Sequence, residues 1–217
     1  MQYPQARLLI FTKAPVPGQV KSRLIPTLGA EGAARLQQRL TRRLVEMMVE
    51  SGVCPVELWV APDAGHPLFD DLKQRYGLPI HVQRGRDLGE RMAMACAEAL
   101  GRADRVVLIG SDSPPLTPAA IGRALAELQW VDAVLGPAED GGYVLLALKR
   151  AEPALFERMP WSTERVAELT RERMHALDWR WRELPESWDL DRPEDLPRLW
   201  EYLGAPTSGR LRSRPDP

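Results

Sequence analysis

Apolar and polar positions along the chain follow two different spacings. Short runs of consecutive apolar residues, many of them β-branched, indicate buried strands, whereas apolar residues three and four positions apart indicate helices. Strands are predicted at residues 7–12, 56–61, 78–82, 105–110, 132–135, 143–148 and 179–184. Helices are predicted at residues 30–50, 67–76, 87–100, 118–128, 163–177 and 193–202.

The order of these elements predicts an α/β fold in one domain. Strands and helices alternate, and the strands at 132–135 and 143–148 flank a Glu-Asp-Gly-Gly sequence that is typical of a hairpin turn. We therefore expect a Rossmann-like, mostly parallel sheet with helices on both faces and a late β-hairpin. The domain is predicted to span residues 1–203, followed by a flexible tail at 204–217 that is rich in proline, serine, glycine and arginine.

Composition argues against several classes of protein. The 217 residues are 44% hydrophobic and carry a formal net charge of −1, which gives no electrostatic reason to expect binding to nucleic acid or to a membrane surface. No run approaches the roughly 20 apolar residues of a membrane span, and the first residues lack the pattern of a secretory signal. Two distant cysteines indicate reduced, buried thiols in a cytoplasmic protein. A homodimer is compatible with the sequence, which does not fix the oligomeric state.

The loop after the first predicted strand, residues 12–24, is the strongest candidate for binding phosphate. It holds two of the four lysines of the chain, Lys13 and Lys21, together with Arg23. Phosphates are bound by point charges and backbone N–H groups, and Gly18 lets the backbone approach closely. These three cations are predicted to surround a diphosphate, and a solvated basic loop is the structural alternative.

Two acidic loops follow later strands. Asp112 comes directly after the most apolar strand, where a carboxylate can hold Mg²⁺ or Mn²⁺ against phosphate oxygens; alternatively it caps the turn before Pro114. Asp140 lies in the loop at 136–143, which is predicted to form a wall of the substrate pocket or, alternatively, only a hairpin turn. Because the carboxyl ends of parallel strands meet at one edge of a sheet, we expect the three loops to lie together.

Two further segments carry charges that fit the same site. The segment 83–91 would contact base, ribose or phosphate, or else cap a helix and charge the surface, through Arg84, Asp87 and Arg91. Near the end of the domain, Asp189 or Asp191 would be the second carboxylate at the metal, while helix capping by Asp191 is the alternative.

Six motifs in a fixed order resemble a known family: KAPVPGxxKSRL (13–24), GxDLGERM (85–92), IGSDSP (109–114), GPAxDGGY (136–143), WST (161–163) and DxDxPED (189–195). The chain resembles the selenodomain- or radical-SAM-associated transferases of bacteria, also described as arsenosugar-biosynthesis glycosyltransferases. This family belongs to the nucleotide-diphospho-sugar transferase superfamily. The resemblance covers about residues 7–203.

The resemblance implies a GT-A fold, a nucleotide donor, Mg²⁺ or Mn²⁺ as cofactor and a small-molecule acceptor. Nucleotide and phosphate binding would fall to Lys13, Gly18, Lys21, Arg23, Arg84, Asp87 and Arg91. The metal would lie between Asp112 and Asp191. The substrate pocket would be lined by Asp140, Gly141, Gly142, Tyr143, Ser162 and Thr163.

Three functions remain open on the sequence alone. The first is glycosyl transfer from a nucleotide-diphosphate sugar, with Asp112 and Asp140 as catalytic residues and Asp140 as the base. The second is nucleotidyl transfer from a nucleoside triphosphate, because the motif around Asp112 is Ser-Asp-Ser, as in guanylyltransferases of the molybdenum-cofactor and phospholactate type, rather than the Asp-x-Asp of many GT-A enzymes. The third is nucleotide binding without catalysis.

Overall fold

Seven strands and six helices alternate along the part of the chain that the structure, a computed structural model, describes, residues 1–204. The strands are Ala6–Lys13 (β1), Val56–Ala61 (β2), Ile80–Val82 (β3), Arg105–Gly110 (β4), Ala133–Pro137 (β5), Tyr143–Leu148 (β6) and Trp181–Glu183 (β7). The helices are Ile25–Glu50 (α1), Pro67–Tyr76 (α2), Leu88–Leu100 (α3), Pro118–Glu127 (α4), Val166–Ala176 (α5) and Asp195–Tyr202 (α6). The predicted tail lies, beyond Gly204, outside the described residues.

The strands form one mostly parallel sheet in the order β3-β2-β1-β4-β6-β5-β7. Neighbouring strands pair in parallel except β6, which is antiparallel to both β4 and β5. The predicted α/β fold and its late hairpin, formed by β5 and β6, are therefore confirmed. The central strands β1, β2 and β4 are almost fully buried, which explains why they appear in the sequence as continuous apolar runs.

Helices cover both faces of the sheet, as predicted. One face packs against α1, α2 and α4, and its core includes Leu58, Phe69 and Ile121. The other face packs against α3 and α5, with Cys96 and Met174 in its core. Alternate residues along each strand supply the two cores, because successive side chains of a strand point to opposite faces.

A third, smaller core attaches α6 to the first half of α1. Leu24 and Leu40 pack there against Leu190 and Leu199, and all four side chains are buried. This contact brings the segment after β7 next to the loop after β1. It thereby places the end of the domain beside its beginning, at the carboxyl edge of the sheet.

Several element ends differ from the prediction. Helix α1 already begins at Ile25, directly after a short 3₁₀ helix at Ser22–Leu24, and is interrupted at Gly29, where φ is 70°. Because of this break, residues 25–29 do not continue the helical spacing of apolar residues, and the prediction began the helix at residue 30. Helix α5 begins only at Val166, so Thr163 lies in the preceding turn.

Both cysteines are free and buried, as predicted. Burial raises the pKa of the Cys96 thiol to about 12, so it stays protonated at neutral pH.

Among residues 1–204, no helix combines the length and the apolar character needed to cross a membrane.

Candidate active site

A cleft of about 1380 Å³ opens at the carboxyl edge of the sheet, where β1 and β4 end. The chain runs outward from β1 through β2 to β3 and then returns to β4 on the other side of β1. The loops after β1 and β4 diverge at this point, which is where open α/β sheets bind ligands. The hairpin turn after β5 and the segment after β7 reach the same edge, because β5 and β7 run in the direction of β4.

The cleft brings together residues from all three predicted loops and from the last acidic segment. The predicted site residues that line it are Lys13, Lys21, Arg23, Asp112, Asp140, Gly141, Ser162, Thr163 and Asp191. Gly142 and Tyr143 line an adjoining pocket. Arg91 lines a side pocket of about 290 Å³, which also includes Lys13. Gly18, Arg84 and Asp87 lie outside the walls of these three spaces.

Lys21 forms the link between the cationic loop and the acidic ones. Its Nζ lies 3.3 Å from Oδ1 of Asp112 and donates a hydrogen bond of 2.6 Å to the carbonyl oxygen of Leu190. The N–H of Leu190 in turn donates to the carbonyl oxygen of Asp112 at 2.8 Å. Only 4% of the Lys21 side chain is exposed, against 49% of the Asp112 side chain. The ammonium group is thus held in place at the cleft floor, and the carboxylate remains open to a ligand.

Arg23 and Asp191 form a second ion pair across the cleft, and both side chains are about half exposed. The backbone around Asp191 is fixed by Asp195, whose Oδ2 accepts hydrogen bonds from the N–H groups of Asp191 and Arg192. Helix α6 begins at Asp195, with Glu194 at its N-cap position. Asp191 therefore does not cap this helix, and its carboxylate is directed to the site.

Asp189 is a partly buried acidic residue of the cleft. Burial raises the pKa of its carboxyl to about 6, and three neighbouring carboxylates add to the effect. These neighbours are, in order of their effect, Asp140, Asp112 and Asp191. Two of these carboxylates are paired with cations, Asp112 with Lys21 and Asp191 with Arg23. The sequence left Asp189 and Asp191 equal, whereas in the structure Asp191 pairs with Arg23 and Asp189 also lines the adjoining pocket.

A buried network of polar side chains supports the floor of the cleft, and the sequence analysis missed it. Gln37 of α1 donates through Nε2 to Ser111 Oγ at 2.9 Å and to Thr12 Oγ1 at 3.2 Å. Thr12 Oγ1 also lies 3.0 Å from the hydroxyl oxygens of Ser111 and Thr41. The network holds together α1 and the ends of β1 and β4. A glutamine within the apolar stripe of a helix was the signal that could have revealed it.

The hairpin turn after β5 carries Asp140 into the cleft. Oδ1 of Asp140 accepts a hydrogen bond of 2.8 Å from the N–H of Gly142, as the structural alternative predicted. Gly141 has a φ of 84°, and a Cβ at this position would lie 2.0 Å from the carbonyl oxygen of Glu164. The turn and the segment 161–165 therefore touch backbone to backbone, which brings Ser162 and Thr163 to the cleft.

Part of the segment 83–91 caps a helix and carries surface charge, as the structural alternative predicted. Oδ1 of Asp87 accepts a hydrogen bond from the N–H of Glu90 and caps α3, while Arg86 pairs with Glu90 on the surface. Nε of Arg91 donates to the carbonyl oxygen of Gly85 at 3.1 Å. Of the cations predicted here, Arg91 lies in the side pocket beside Lys13, and Arg84 is exposed.

A divalent cation bound together with a phosphate ligand would find oxygen donors among the acidic residues of the cleft. Within residues 1–204, histidine, cysteine and carboxylate side chains form no group of three or more arranged around a common metal position. Mg²⁺, however, is usually held by one or two carboxylates, with phosphates and waters completing its shell. Asp112 and Asp191 both line the cleft and would supply two such oxygen donors.

Comparison with known proteins identifies a family and a fold. A family model described as "Uncharacterized protein conserved in bacteria (DUF2064)" matches residues 44–163. A comparison with curated proteins gave no match. A crystal structure of a protein from Desulfovibrio desulfuricans G20, provisionally assigned as a nucleotide-diphospho-sugar transferase, is 30% identical, covers 91% of this chain and 88% of its own, and has a TM-score of 0.82.

Two more distant structures share the fold. The inositol-1-phosphate CTP transferase from T. maritima is 12% identical and has a TM-score of 0.62, over 93% of this chain and 96% of its own. A CMP:2-keto-3-deoxy-manno-octonic acid synthetase in complex with CTP is also 12% identical, with a TM-score of 0.59 over 92% and 98% of the two chains. The fold of this chain is thus that of nucleotide-diphospho-sugar transferases, as the sequence predicted.

Proposed function

The chain belongs to the DUF2064 family of bacterial proteins, and from this kinship and the geometry of the cleft we propose that it is a nucleotide-dependent transferase. Its proposed reaction is the transfer of a glycosyl group from a nucleotide-diphosphate sugar to a small acceptor. Three proteins of known structure share the fold: one is provisionally assigned as a nucleotide-diphospho-sugar transferase, and the other two are named as using or binding CTP. This supports a nucleotide donor. Closer kinship with the arsenosugar-biosynthesis glycosyltransferases stays a prediction.

The contact between Lys21 and Asp112 is the observation that carries the proposal. These residues lie far apart in sequence, yet the Lys21 ammonium and the Asp112 carboxylate face each other at 3.3 Å at the switch point of the sheet. A cation and a carboxylate so placed fit the two halves of a metal–diphosphate complex. The ammonium attracts phosphate oxygens, and the carboxylate attracts the accompanying metal.

The proposed reaction makes one bond and breaks one. The acceptor hydroxyl attacks the anomeric carbon of the sugar, and the bond between that carbon and the diphosphate oxygen breaks with its electron pair on the diphosphate. The proton of the hydroxyl passes to the Asp140 carboxylate, and the nucleoside diphosphate leaves. Lys21 and Arg23 stabilise the negative charge that develops on the leaving group.

A divalent cation between Asp112 and Asp191 would further neutralise the leaving diphosphate. The pair formed by Arg23 and Asp191 opens when a donor enters, so that the guanidinium turns to phosphate and the carboxylate becomes free. The polar network of Gln37, Thr12 and Ser111 holds the strand ends that position this machinery.

Product analysis tests the proposal. The protein is incubated with nucleotide-diphosphate sugars and Mn²⁺, and released nucleoside diphosphate is measured. Asp112→Asn is expected to lower kcat/KM by about 100-fold, with folding checked by circular dichroism. The matched control is Asp104→Asn, which alters an exposed carboxylate before the amino end of β4, at the opposite edge of the sheet. Undiminished turnover in folded Asp112→Asn would contradict the assigned role.

Nucleotidyl transfer is the second candidate function. It is favoured by the single carboxylate at the end of β4, since Ser111 and Ser113 flank Asp112 and both are buried. Ser113 Oγ donates to the carbonyl oxygen of Trp188 at 2.8 Å, so it is occupied structurally. Incubation with nucleoside triphosphates distinguishes the two reactions, because this one releases pyrophosphate and glycosyl transfer releases nucleoside diphosphate.

A further inference from the structure

We propose that the apolar pocket beside the cleft selects the acceptor, and that this acceptor is an uncharged or cationic hydroxyl compound with a compact apolar group. The inference rests on the proposed glycosyl transfer and names its second substrate by chemical class. It follows from the walls of the pocket, from the charges at its mouth and from its position relative to the phosphate-binding loop.

The walls of this pocket are apolar and come from both halves of the domain. The space has a volume of about 240 Å³ and is bounded by Phe11, Leu88, Met92, Tyr143, Trp161 and Val166, among others. This is below the roughly 300–1,000 Å³ of pockets for drug-sized ligands, so a single ring or a short branched chain fits it. Among the described side chains, the Tyr143 hydroxyl finds only the Met92 sulfur as a hydrogen-bond partner, at 3.9 Å.

The wall of the pocket at residues 156–164 is fixed in place, because this segment packs closely against glycines from two different motifs. A Cβ on Gly89 would lie 2.6 Å from the carbonyl oxygen of Phe156 and 2.9 Å from Nε1 of Trp161. A Cβ on Gly141 would meet the backbone of Glu164. The segment 156–164 therefore contacts α3 and the hairpin turn at the same time. Ser162, within it, has a φ of 66°, a backbone conformation kept by these contacts.

Charge at the pocket differs from charge at the rest of the cleft. Asp140 and Asp189 line both spaces, whereas the side chains that line the pocket include no lysine or arginine in the described part of the chain. Lys13, Lys21 and Arg23 lie in the cleft. A phosphate or carboxylate on the acceptor would therefore face two carboxylates with no cation of the pocket to offset them.

The position of the pocket fits an acceptor. The side pocket with Lys13 and Arg91 lies at the carboxyl ends of β1 and β2, and the apolar pocket lies at the carboxyl end of β4 and the amino end of β6. Lys21 and Asp112 line the larger cleft, which shares Lys13 with the side pocket and Asp140 and Asp189 with the apolar pocket. A donor whose phosphates contact Lys21 leaves the apolar pocket free, and Asp140 at its mouth is placed to take the proton of a hydroxyl group.

Three probe compounds test the inference without turnover. Benzyl alcohol, glycerol and 4-(hydroxymethyl)benzoate are titrated against the full protein, and dissociation constants are measured by saturation-transfer difference NMR. Benzyl alcohol is expected to bind at least about tenfold more tightly than glycerol, because it buries an apolar ring. The benzoate is expected to bind at least about tenfold more weakly than benzyl alcohol, because its charge faces the acidic mouth.

Variants locate the binding. Leu88→Trp fills the pocket from a position that is 43% exposed and should weaken benzyl alcohol binding by about tenfold. Met94→Trp, on the same helix at a 49% exposed position outside the pocket, is the matched control and should change nothing. Thr163→Trp, at the exposed mouth, gives a second blocking variant if Leu88→Trp fails to fold.

Each outcome bears on one of the two proposals. Equal binding of glycerol and benzyl alcohol, undiminished binding of the benzoate, or benzyl alcohol binding that survives the blocking variants would overturn the assigned acceptor class. Selective binding that is lost in the blocking variants, combined with no release of nucleoside diphosphate from any nucleotide sugar, would keep the pocket assignment and refute glycosyl transfer.

Discussion

Lys21 has a structural role in the free protein and a proposed role in binding phosphate. Its φ of 46° places it in the left-handed region, which sends the ammonium group inward instead of to solvent. There it meets the Leu190 carbonyl and the Asp112 carboxylate. The same charge that joins the loops in the free protein is available to a phosphate ligand.

Replacing Lys21 by methionine keeps the length and apolar stem of the side chain and removes its charge. We expect kcat/KM to fall by about 100-fold or more, because a donor held against the leaving diphosphate is lost. Steady-state release of nucleoside diphosphate measures the effect. Lys149→Met is the control, because Lys149 follows the end of β6 at the opposite edge of the sheet. An equal effect of both substitutions would argue against a specific role of Lys21.

Glu57 of β2 is a buried charge of a different kind, remote from the cleft. It is 3% exposed and is held by Arg102, whose NH1 and NH2 donate to its two carboxylate oxygens at 3.1 and 3.0 Å. Arg7, the indole N–H of Trp59 and the His81 ring also contact it. Neither Glu57 nor any of these partners lines the cleft, so we expect the group to act on stability.

Glu57→Gln is expected to lower the free energy of unfolding by about 2 kcal/mol, because the buried side chain loses its charge-assisted hydrogen bonds, while the Arg102 side chain is 36% exposed and stays hydrated. Glu98→Gln removes a half-exposed carboxylate from the rim of the same cluster and should cost less than about 1 kcal/mol. Urea denaturation measures both changes. Turnover per folded molecule should stay at the wild-type value, and a loss of turnover would show that the cluster is coupled to the cleft.

At the scale of elements, the hairpin between β5 and β6 depends on a contact that only glycine allows. Gly141→Ala should destabilise the protein by at least about 2 kcal/mol more than Gly77→Ala, because it must displace the backbone of Glu164. Gly77, after α2, has a φ of 63° with open space around it, so its substitution isolates the backbone strain of about 1 kcal/mol. Urea denaturation compares the variants, and equal losses would refute the contact.

Elements with a strong local pattern were predictable from the sequence, and contacts between elements were not. The apolar run of β4 and the helical spacing in α3 gave elements close to those observed, since burial imposes these patterns directly. The convergence of Lys21, Asp112 and Asp140 followed from the rule that loops of parallel strands share an edge.

The remaining features depend on which distant segments meet. The sequence around Gly89 does not predict that Trp161 packs against it. Whether Asp191 caps α6 or faces the cleft depended on the residue at which α6 begins. The ends of helices are difficult to predict from the sequence. The role of Gln37 depended on Thr12 and Ser111, which adjacent strands supply.

At the scale of the whole molecule, the cleft joins segments from the beginning, the middle and the end of the described chain. A ligand that contacts all of them stabilises the native state as a whole, because unfolding anywhere in the domain destroys its site. At 100 times its dissociation constant, a ligand adds about 2.7 kcal/mol to the free energy of unfolding.

A nucleoside diphosphate with Mn²⁺ is therefore expected to raise the melting temperature by about 5–10 °C at saturating concentration. Thermal unfolding followed by fluorescence measures the change. The unphosphorylated nucleoside should have little effect, and the Lys21→Met variant should show a much smaller shift than the wild type. A shift as large with the nucleoside alone would place the recognition outside the phosphate-binding loop.

The hydrogen bonds of Leu190 with Lys21 and Asp112 have a consequence for protein synthesis. A nascent chain emerges from the ribosome in order, so both charged residues are present long before the residue that joins them. Even after β1 and β4 have paired, Lys21 and Asp112 lack their shared hydrogen-bond partner, the backbone of Leu190. The capacity to bind a nucleotide should thus arise only once Leu190 has left the ribosome, well after both charged residues have emerged.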